Sequence, residues 1–180
     1  MPNFTEGFLR FDFDEHCWCV LKLDDHDDYR DRIQKIKDTK AIDFLGIFNN
    51  KTLYFIEVKD FRQHRIENKE RLLSSDLAIE LAQKVRDSVA CIIGAYQTSK
   101  NPEQWQPFVE KLSTKAEPIV VLWLEQDLPS HPIQKKKVTD SIDTKYFKQK
   151  LFWLTKRVIV CSIKDDDIVP KLYVSNLPHN

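Results

Sequence analysis

Three charged side chains interrupt two otherwise apolar runs of the sequence, at residues 41–48 and 53–59. They are Asp43, Glu57 and Lys59. Two carboxylates can hold a divalent cation through their oxygens, and a lysine beside them can stabilise negative charge on a phosphate. This chemistry needs all three groups in one place. The elements that carry them therefore decide whether they can act together.

A turn between two strands would bring these charges together. Residues 41–48 and 53–59 are rich in β-branched and aromatic side chains, which favours strands. Asn49 and Asn50 lie between the two runs and suit a tight turn. The stretch therefore predicts a β-hairpin.

The length of the turn decides which residues face each other. A three-residue loop pairs Phe48 with Thr52. Counting back along the ladder then places Asp43 opposite Glu57, with Cβ atoms roughly 5 Å apart, and Lys59 on the same face. Two carboxylates at that distance repel unless a cation lies between them or one is protonated. Oxygen ligands in this arrangement suit Mg²⁺ or Mn²⁺.

An acid, a hairpin-length gap, an apolar run and a terminal E-x-K together resemble the PD-(D/E)XK nuclease superfamily, whose members share the restriction-endonuclease-like fold. Asp43 matches the first acid, Glu57 the second acid and Lys59 the lysine, while Ile42 stands where the motif name has Pro. The resemblance covers about residues 22–96. It implies metal-dependent hydrolysis of a phosphodiester bond in nucleic acid, with DNA as the expected substrate. Asp43 and Glu57 would hold Mg²⁺ or Mn²⁺.

The resemblance also implies a further acid from the helix before the hairpin, and Asp25 is the residue chosen for it. Other acids compete for this role, and they are Asp24, Asp28, Asp31 and, further away, Glu15. For any one of them the alternative is ordinary capping or first-turn charge on a helix.

The long helix after the E-x-K strand often brings a Gln or Lys to the site in similar nucleases. Gln83 and Lys84 are the candidates here. Lys84 lies at the edge of an apolar stripe and can reach inward with its stem packed. The alternative is an i,i+4 ion pair with Glu80 on a solvated face.

Cations that could contact a phosphate backbone follow the E-x-K strand in one polar stretch. Arg62, Arg65 and Lys69 are the candidates for nucleic-acid binding. A second basic cluster at 135–137 is expected to be a solvated loop.

Composition sets outer bounds on the function. The chain has 180 residues, with 28 basic and 28 acidic side chains and no net charge. This length predicts a single domain over residues 1–180, and the resemblance implies that it is nuclease-like. Nucleic-acid binders often carry a basic excess, so binding here would depend on a local patch.

Several other classes of protein are not indicated. The sequence has no run of about 18 apolar residues, so we expect no membrane span. We find no secretory signal, and the four cysteines form no C-x-x-C pair, so a zinc site is not expected. Reduced thiols in a cytoplasmic protein are the expected state.

Hydrophobic periodicity predicts strands and helices around the hairpin. The predicted strands are 17–23, 118–124, 157–163 and 171–175, and the predicted helices are 27–37, 76–96, 103–114 and 141–155. This order predicts an α/β fold: a three-layer sandwich with a mixed central sheet flanked by helices on both faces. The superfamily resemblance implies the same restriction-endonuclease-like architecture.

Three functional hypotheses follow from different classes. The first is a Mg²⁺-dependent nuclease. The second is a catalytically inactive nuclease-like domain that binds nucleic acid or a protein partner, which the neutral net charge favours. The third is a structural ion-pair cluster with no ligand. A chain of this size offers only a shallow DNA-binding surface, which favours a homodimer or a protein partner.

Overall fold

The computed structural model describes residues 2–62, 75–127, 144–165 and 167–178. The strands are β1 (Asn3–Glu6), β2 (Leu9–Phe13), β3 (Trp18–Lys22), β4 (Phe44–Phe48), β5 (Thr52–Asp60), β6 (Ile119–Glu125), β7 (Val158–Cys161) and β8 (Leu172–Asn176). The α-helices are α1 (Asp27–Arg30), α2 (Asp76–Thr98), α3 (Gln106–Leu112) and α4 (Thr144–Leu151), with short 3-10 helices at Ile33–Lys35 and Pro102–Gln104.

Five strands form a mixed sheet in the order β3-β4-β5-β6-β7. The first three are antiparallel neighbours, and β6 and β7 continue the sheet parallel to β5. Every residue of β6 is buried, as expected for a continuous apolar run in the parallel part of a sheet. The predicted α/β class with a mixed sheet is confirmed.

The two faces of this sheet are covered differently. All the α-helices contribute buried side chains to one core, where α2 packs Leu81, Val85 and Ile92 against the sheet. Residues from β2 and β8, together with Val169, cover the opposite face. There Phe11 packs against Phe44 and Trp123.

That second cover is a three-stranded sheet in the order β1-β2-β8. The prediction of helices on both faces is therefore wrong for the part of the chain described. The core between the three-stranded and the five-stranded sheet contains buried side chains from strands and from Val169, and none from a described helix. The N-terminal hairpin, formed by β1 and β2, was not predicted.

The long helix α2 agrees with its prediction, whereas the helix predicted over 27–37 is wrong. α1 ends at Arg30, and Arg32 adopts φ −124° and ψ −75°, outside the helical range. Ile36, which a helix over 27–37 would place on one face with Tyr29 and Ile33, is 62% exposed. Across the described residues, no helix has the length and apolar character needed to cross a membrane.

Candidate metal centre

The turn between β4 and β5 sets the register of the candidate site. It occupies residues 49–51, and Asn49 and Asn50 adopt positive φ values of 48° and 51°, a conformation that asparagine tolerates well. Phe48 pairs with Thr52, as predicted from the three-residue loop. The ladder continues to Phe44 opposite Ile56, so the next position back, Asp43, is opposite Glu57.

The segment leading into β4 is fixed to its neighbours by hydrogen bonds. Ile42 N–H donates to Ser88 Oγ on α2 at 3.1 Å, and Leu23 N–H donates to the Asp43 carbonyl at 2.8 Å. The second bond extends the pairing of β3 with β4 by one step. It brings Asp24, the residue after Leu23, to the same end of the sheet as Asp43.

Both hairpin carboxylates are buried. Asp43 is 5% exposed and Glu57 is 1% exposed. Val58 N–H donates to Asp43 Oδ2 at 2.6 Å. Glu57 Oε2 is inaccessible and has no hydrogen-bond partner. A buried carboxylate oxygen without a partner is costly, so this oxygen marks a place where a positive ligand would be stabilising.

Two lysines contact the other oxygen of Glu57. Lys84 Nζ lies 2.6 Å from Glu57 Oε1 and 3.8 Å from Asp43 Oδ1. Lys59 Nζ lies 2.9 Å from the same Glu57 Oε1 and 3.0 Å from Glu80 Oε1. The structure thus brings Asp43, Glu57, Lys59 and Lys84 together. Glu80 also contacts the hairpin, a role that the sequence analysis did not foresee.

An acidic cluster adjoins this pair. Carboxylate oxygens of Glu6, Asp24 and Asp43 all lie within 4.8 Å of one another. Asp24 Oδ1 is buried without a hydrogen bond. The preferred choice, Asp25, instead has a 57% exposed side chain that pairs with Lys22 at 3.2 Å. Asp24 is therefore the acid that the geometry places at the site.

Glu6 was not a candidate from the sequence. It ends β1, one residue before Gly7 at φ 57°. A signal for this hairpin is present, because Leu9, Phe11 and Phe13 alternate with polar residues along the next strand and are all fully buried.

The crowding of carboxylates changes their affinity for protons. Burial raises the pKa of Asp43 to about 8, the charge of Glu57 adds to the effect, and Lys84 opposes it. Burial also raises the pKa of Asp24 to about 6, where Lys22 opposes the shift and Glu6 adds to it. Protons occupy such carboxylates where a cation is lacking, and cation binding releases them.

The pKa of Lys59 is shifted upward, which keeps its ammonium group charged. Burial alone would lower its pKa, but the charges and hydrogen bonds of Glu57 and Glu80 outweigh burial, so the pKa is raised. Its side chain is 18% exposed, so part of the side chain remains accessible.

The remaining predicted residues are not brought to this site. Gln83 is exposed and lines a separate surface depression with Arg86 and Asp87. Arg62 donates to Asp60 at 2.8 Å and to Asn176, so its guanidinium group is bound within the protein.

Other predicted residues either have a structural role or lie outside the described residues. Asp28 Oδ2 accepts hydrogen bonds from Ser99 at 2.7 Å and Trp105 at 2.9 Å. Asp31 caps the C-terminus of α1, and Glu15 is exposed in the turn before β3. Arg65, Lys69 and the cluster at 135–137 fall outside the described ranges.

Two surface cavities of about 320 and 340 Å³ lie away from the carboxylates. One is lined by residues near β8, including Trp123 and Tyr173, and the other by residues around α1, including His26 and Arg32. Neither includes Asp43 or its contacts. We place the candidate chemistry at the buried carboxylates rather than in these cavities, because a cation needs converging oxygens rather than volume.

Comparison of this chain with family models, with curated proteins and with solved structures finds no match. The functional interpretation therefore depends on the geometry of the residues above.

Proposed function

We propose that this chain is a divalent-cation-dependent nuclease with a PD-(D/E)XK-type site, and that DNA is its substrate. The observation that carries the proposal is the buried pair Asp43 and Glu57, with one Glu57 oxygen lacking any hydrogen bond and Lys59 on the same face. The restriction-endonuclease-like fold is part of the proposal. An antiparallel β3-β4-β5 meander continued by parallel strands, with helices on the site's face, supports it.

The residues fit a hard divalent cation. The available donors are carboxylate oxygens, and buried oxygens of Glu57 and Asp24 have no hydrogen bond. Oxygen donors of this kind suit Mg²⁺ and Mn²⁺ better than softer metals. We assign Asp43 and Glu57 as the residues that would hold the cation. Bound there, Mg²⁺ or Mn²⁺ would lower the pKa of a coordinated water and offset charge on the phosphate.

Lys59 supplies a fixed positive charge to the reaction. Glu57 and Glu80 hold its ammonium group from two sides. Because these carboxylates raise its pKa, Lys59 stays protonated near neutral pH and is not the base that removes a proton from water. It donates hydrogen bonds to the phosphate oxygens as negative charge develops on them.

Lys84 balances the charge of Glu57. Its Nζ lies 2.6 Å from Glu57 Oε1, closer than Lys59 Nζ at 2.9 Å. A buried carboxylate that lost this partner would keep Lys59 as its one remaining counter-charge among the described residues, so Lys84 offsets the cost of burying Glu57.

A second function is favoured by the same contacts. Both ammonium groups approach one oxygen of Glu57, so the protein itself supplies counter-charge to that carboxylate. This supports a nuclease-like domain that binds nucleic acid or a protein partner without cutting. A homodimer would serve either function by enlarging the binding surface.

A cleavage panel tests both functions. Linear, circular and single-stranded DNA and RNA are incubated with Mg²⁺, with Mn²⁺ or with EDTA. The proteins compared are the wild type, Lys59→Gln and the control Lys35→Gln, which changes an exposed lysine. We expect metal-dependent cutting of DNA that only Lys59→Gln abolishes. Thermal stabilisation by metal without cutting would favour the second function. If the metal produced neither cutting nor stabilisation, the nuclease would be excluded.

A further inference from the structure

Glu6 reaches the acidic cluster from a different sheet than its partners. It ends β1 in the three-stranded sheet, whereas Asp43 and Asp24 adjoin β4 and β3 of the five-stranded sheet. A ligand shared by these three carboxylates would join the two sheets.

The position of Glu6 is fixed by Lys22. Lys22 Nζ lies 3.1 Å from Glu6 Oε2 and donates to the Thr5 carbonyl at 3.0 Å. Lys22 is the last residue of β3, two positions before Asp24. The Glu6 carboxylate is therefore held beside the cluster by an ion pair and a backbone contact.

An independent observation indicates that a cation belongs there. Glu57, opposite Asp43 and 1% exposed, has the unpartnered oxygen Oε2. Asp24 Oδ1, in the same cluster as Asp43, is also buried and has no hydrogen bond. Buried oxygens that lack donors thus occur on two neighbours of Asp43, and proteins rarely leave such atoms without a partner.

We propose that Glu6 is an additional ligand of the divalent cation held at Asp43, so that cation binding fixes the N-terminal hairpin to the five-stranded sheet. This inference rests on the cation site of the proposed function and is independent of cleavage. Without the cation, three carboxylates within 4.8 Å repel and strain this junction. With it, the same three groups attract a common ion.

The first test measures affinity for Mn²⁺ alone by calorimetry, comparing the wild type with Glu6→Gln. We expect the variant to bind about tenfold more weakly or worse, as when residues that support a metal are replaced. Asp25→Asn is the matched control, because Asp25 pairs with the same lysine but its side chain is 57% exposed. It is expected to bind like the wild type.

The second test uses hydrogen exchange. Mn²⁺ is expected to slow exchange of the amides in β1 and β2 of the wild type, because the hairpin opens less often when its end is tied to the cation. The same addition to Glu6→Gln is expected to leave these amides unchanged. Without Mn²⁺, equal protection of the α2 amides in Glu6→Gln and in the wild type verifies that the variant folds.

The outcomes separate this inference from the proposed function. No Mn²⁺ binding by the wild type would overturn both. Binding that Asp43→Asn abolishes but Glu6→Gln leaves intact would overturn only the role of Glu6. Equal weakening by Glu6→Gln and Asp25→Asn would also overturn it, since the effect would then be general loss of negative charge near Lys22.

Discussion

At the scale of single residues, the site joins groups that repel each other in the absence of a ligand. Asp43 and Glu57 are opposed and buried, and burial raises the pKa of Asp43 to about 8. The positive charge near them comes from Lys59 and Lys84, which both approach one oxygen of Glu57. Removing a negative charge is therefore expected to change the stability of the metal-free protein in the opposite direction from removing a positive charge.

Asp43→Asn is expected to keep or raise the melting temperature of the metal-free protein and to eliminate Mn²⁺ binding. The change removes one of two repelling carboxylates, while the asparagine carbonyl can still accept from Val58 N–H, which donates to Asp43 at 2.6 Å. Thermal unfolding with and without Mn²⁺ measures both effects, and Asp25→Asn again serves as the control. A large loss of stability in metal-free Asp43→Asn would indicate a structural ion pair with Lys84.

Lys84→Met is expected to have the opposite effect on the metal-free protein. Losing the nearest counter-charge of a buried carboxylate costs about 1–3 kcal/mol of unfolding free energy, the range for a buried polar group left without its partner. Chemical denaturation near pH 7 measures this difference against Lys35→Met, an exposed control. A change within experimental error would show that Lys59 alone balances Glu57.

The sequence predicts the central residues of the site because a local feature controls them. The three-residue turn determines the register, and the register places Asp43, Glu57 and Lys59 on one face. The choice between Asp24 and Asp25 depends on where β3 ends, and the strand boundary was predicted one residue too late. Glu6 comes from a distant strand, so no local spacing connects it to Asp43.

At the scale of elements, the close approach of β3 to β4 depends on a glycine. A Cβ on Gly46 would lie 2.9 Å from Trp18 Cζ3 and 3.0 Å from Cε3. The Trp18 ring has little freedom to move, because its Nε1 donates to the Pro170 carbonyl at 2.9 Å and the ring makes T-shaped contacts with Phe13 and Tyr54.

Gly46→Ala is therefore expected to lower the unfolding free energy by about 1–3 kcal/mol, as overpacking does in a filled core. Gly94→Ala in α2 is a matched control with the opposite expectation. There the nearest atom to the new Cβ is Ile33 Cδ1 at 4.0 Å, and replacing a glycine inside a helix stabilises by roughly 0.5–1 kcal/mol. Equal effects of the two variants in chemical denaturation would contradict this packing argument.

Helical periodicity predicts α2 well and fails for α1. The apolar stripe of α2 extends over many turns, so packing and propensity agree. Within α1, Asp28 accepts hydrogen bonds from Ser99 and Trp105, and beyond α1, Arg32 donates to Thr98 at the end of α2. These tertiary contacts hold the segment in another conformation, which a short amphipathic pattern cannot reveal.

At the scale of the whole molecule, the raised pKa values make stability depend on pH. Asp43 and Asp24 have folded pKa values of about 8 and about 6, above their ordinary value of 3.8. Between pH 3.8 and these raised pKa values, the folded protein binds more protons than the unfolded chain. Its unfolding free energy therefore falls as pH rises through this interval. The pKa values of Asp28 and Asp60 are lowered, so these two groups add to the unfolding free energy as pH rises. That gain is complete by about pH 5.

We therefore expect the metal-free protein to lose thermal stability steadily from pH 5 to pH 8, and Asp43→Asn to lose less over the same range. Mn²⁺ competes with protons for the carboxylates, so its stabilising effect is expected to grow with pH. Melting curves at constant ionic strength measure both trends. Stability that rises over this interval without metal would contradict the assignment of Asp43 and Asp24 as crowded, protonated acids.

The sequence predicts the α/β class and the mixed sheet because buried strands and a long amphipathic helix have local signatures. It does not predict the cover on the second face, where β2 pairs with β8 from Leu9 opposite Asn176 to Phe13 opposite Leu172. Residues so far apart in the chain meet through tertiary packing alone, and hydrophobic periodicity contains no information about that pairing.

The pairing of β2 with β8 has a consequence for the timing of synthesis. β1 and β2 leave the ribosome before the other described strands, but their partner strand β8 is made only after the five-stranded sheet is complete in sequence. Contacts of such large sequence separation form late, because loop closure must precede them. Glu6, carried by this hairpin, therefore joins Asp24 and Asp43 only when translation has passed β8. A growing chain thus contains Asp24 and Asp43 well before Glu6 can join them.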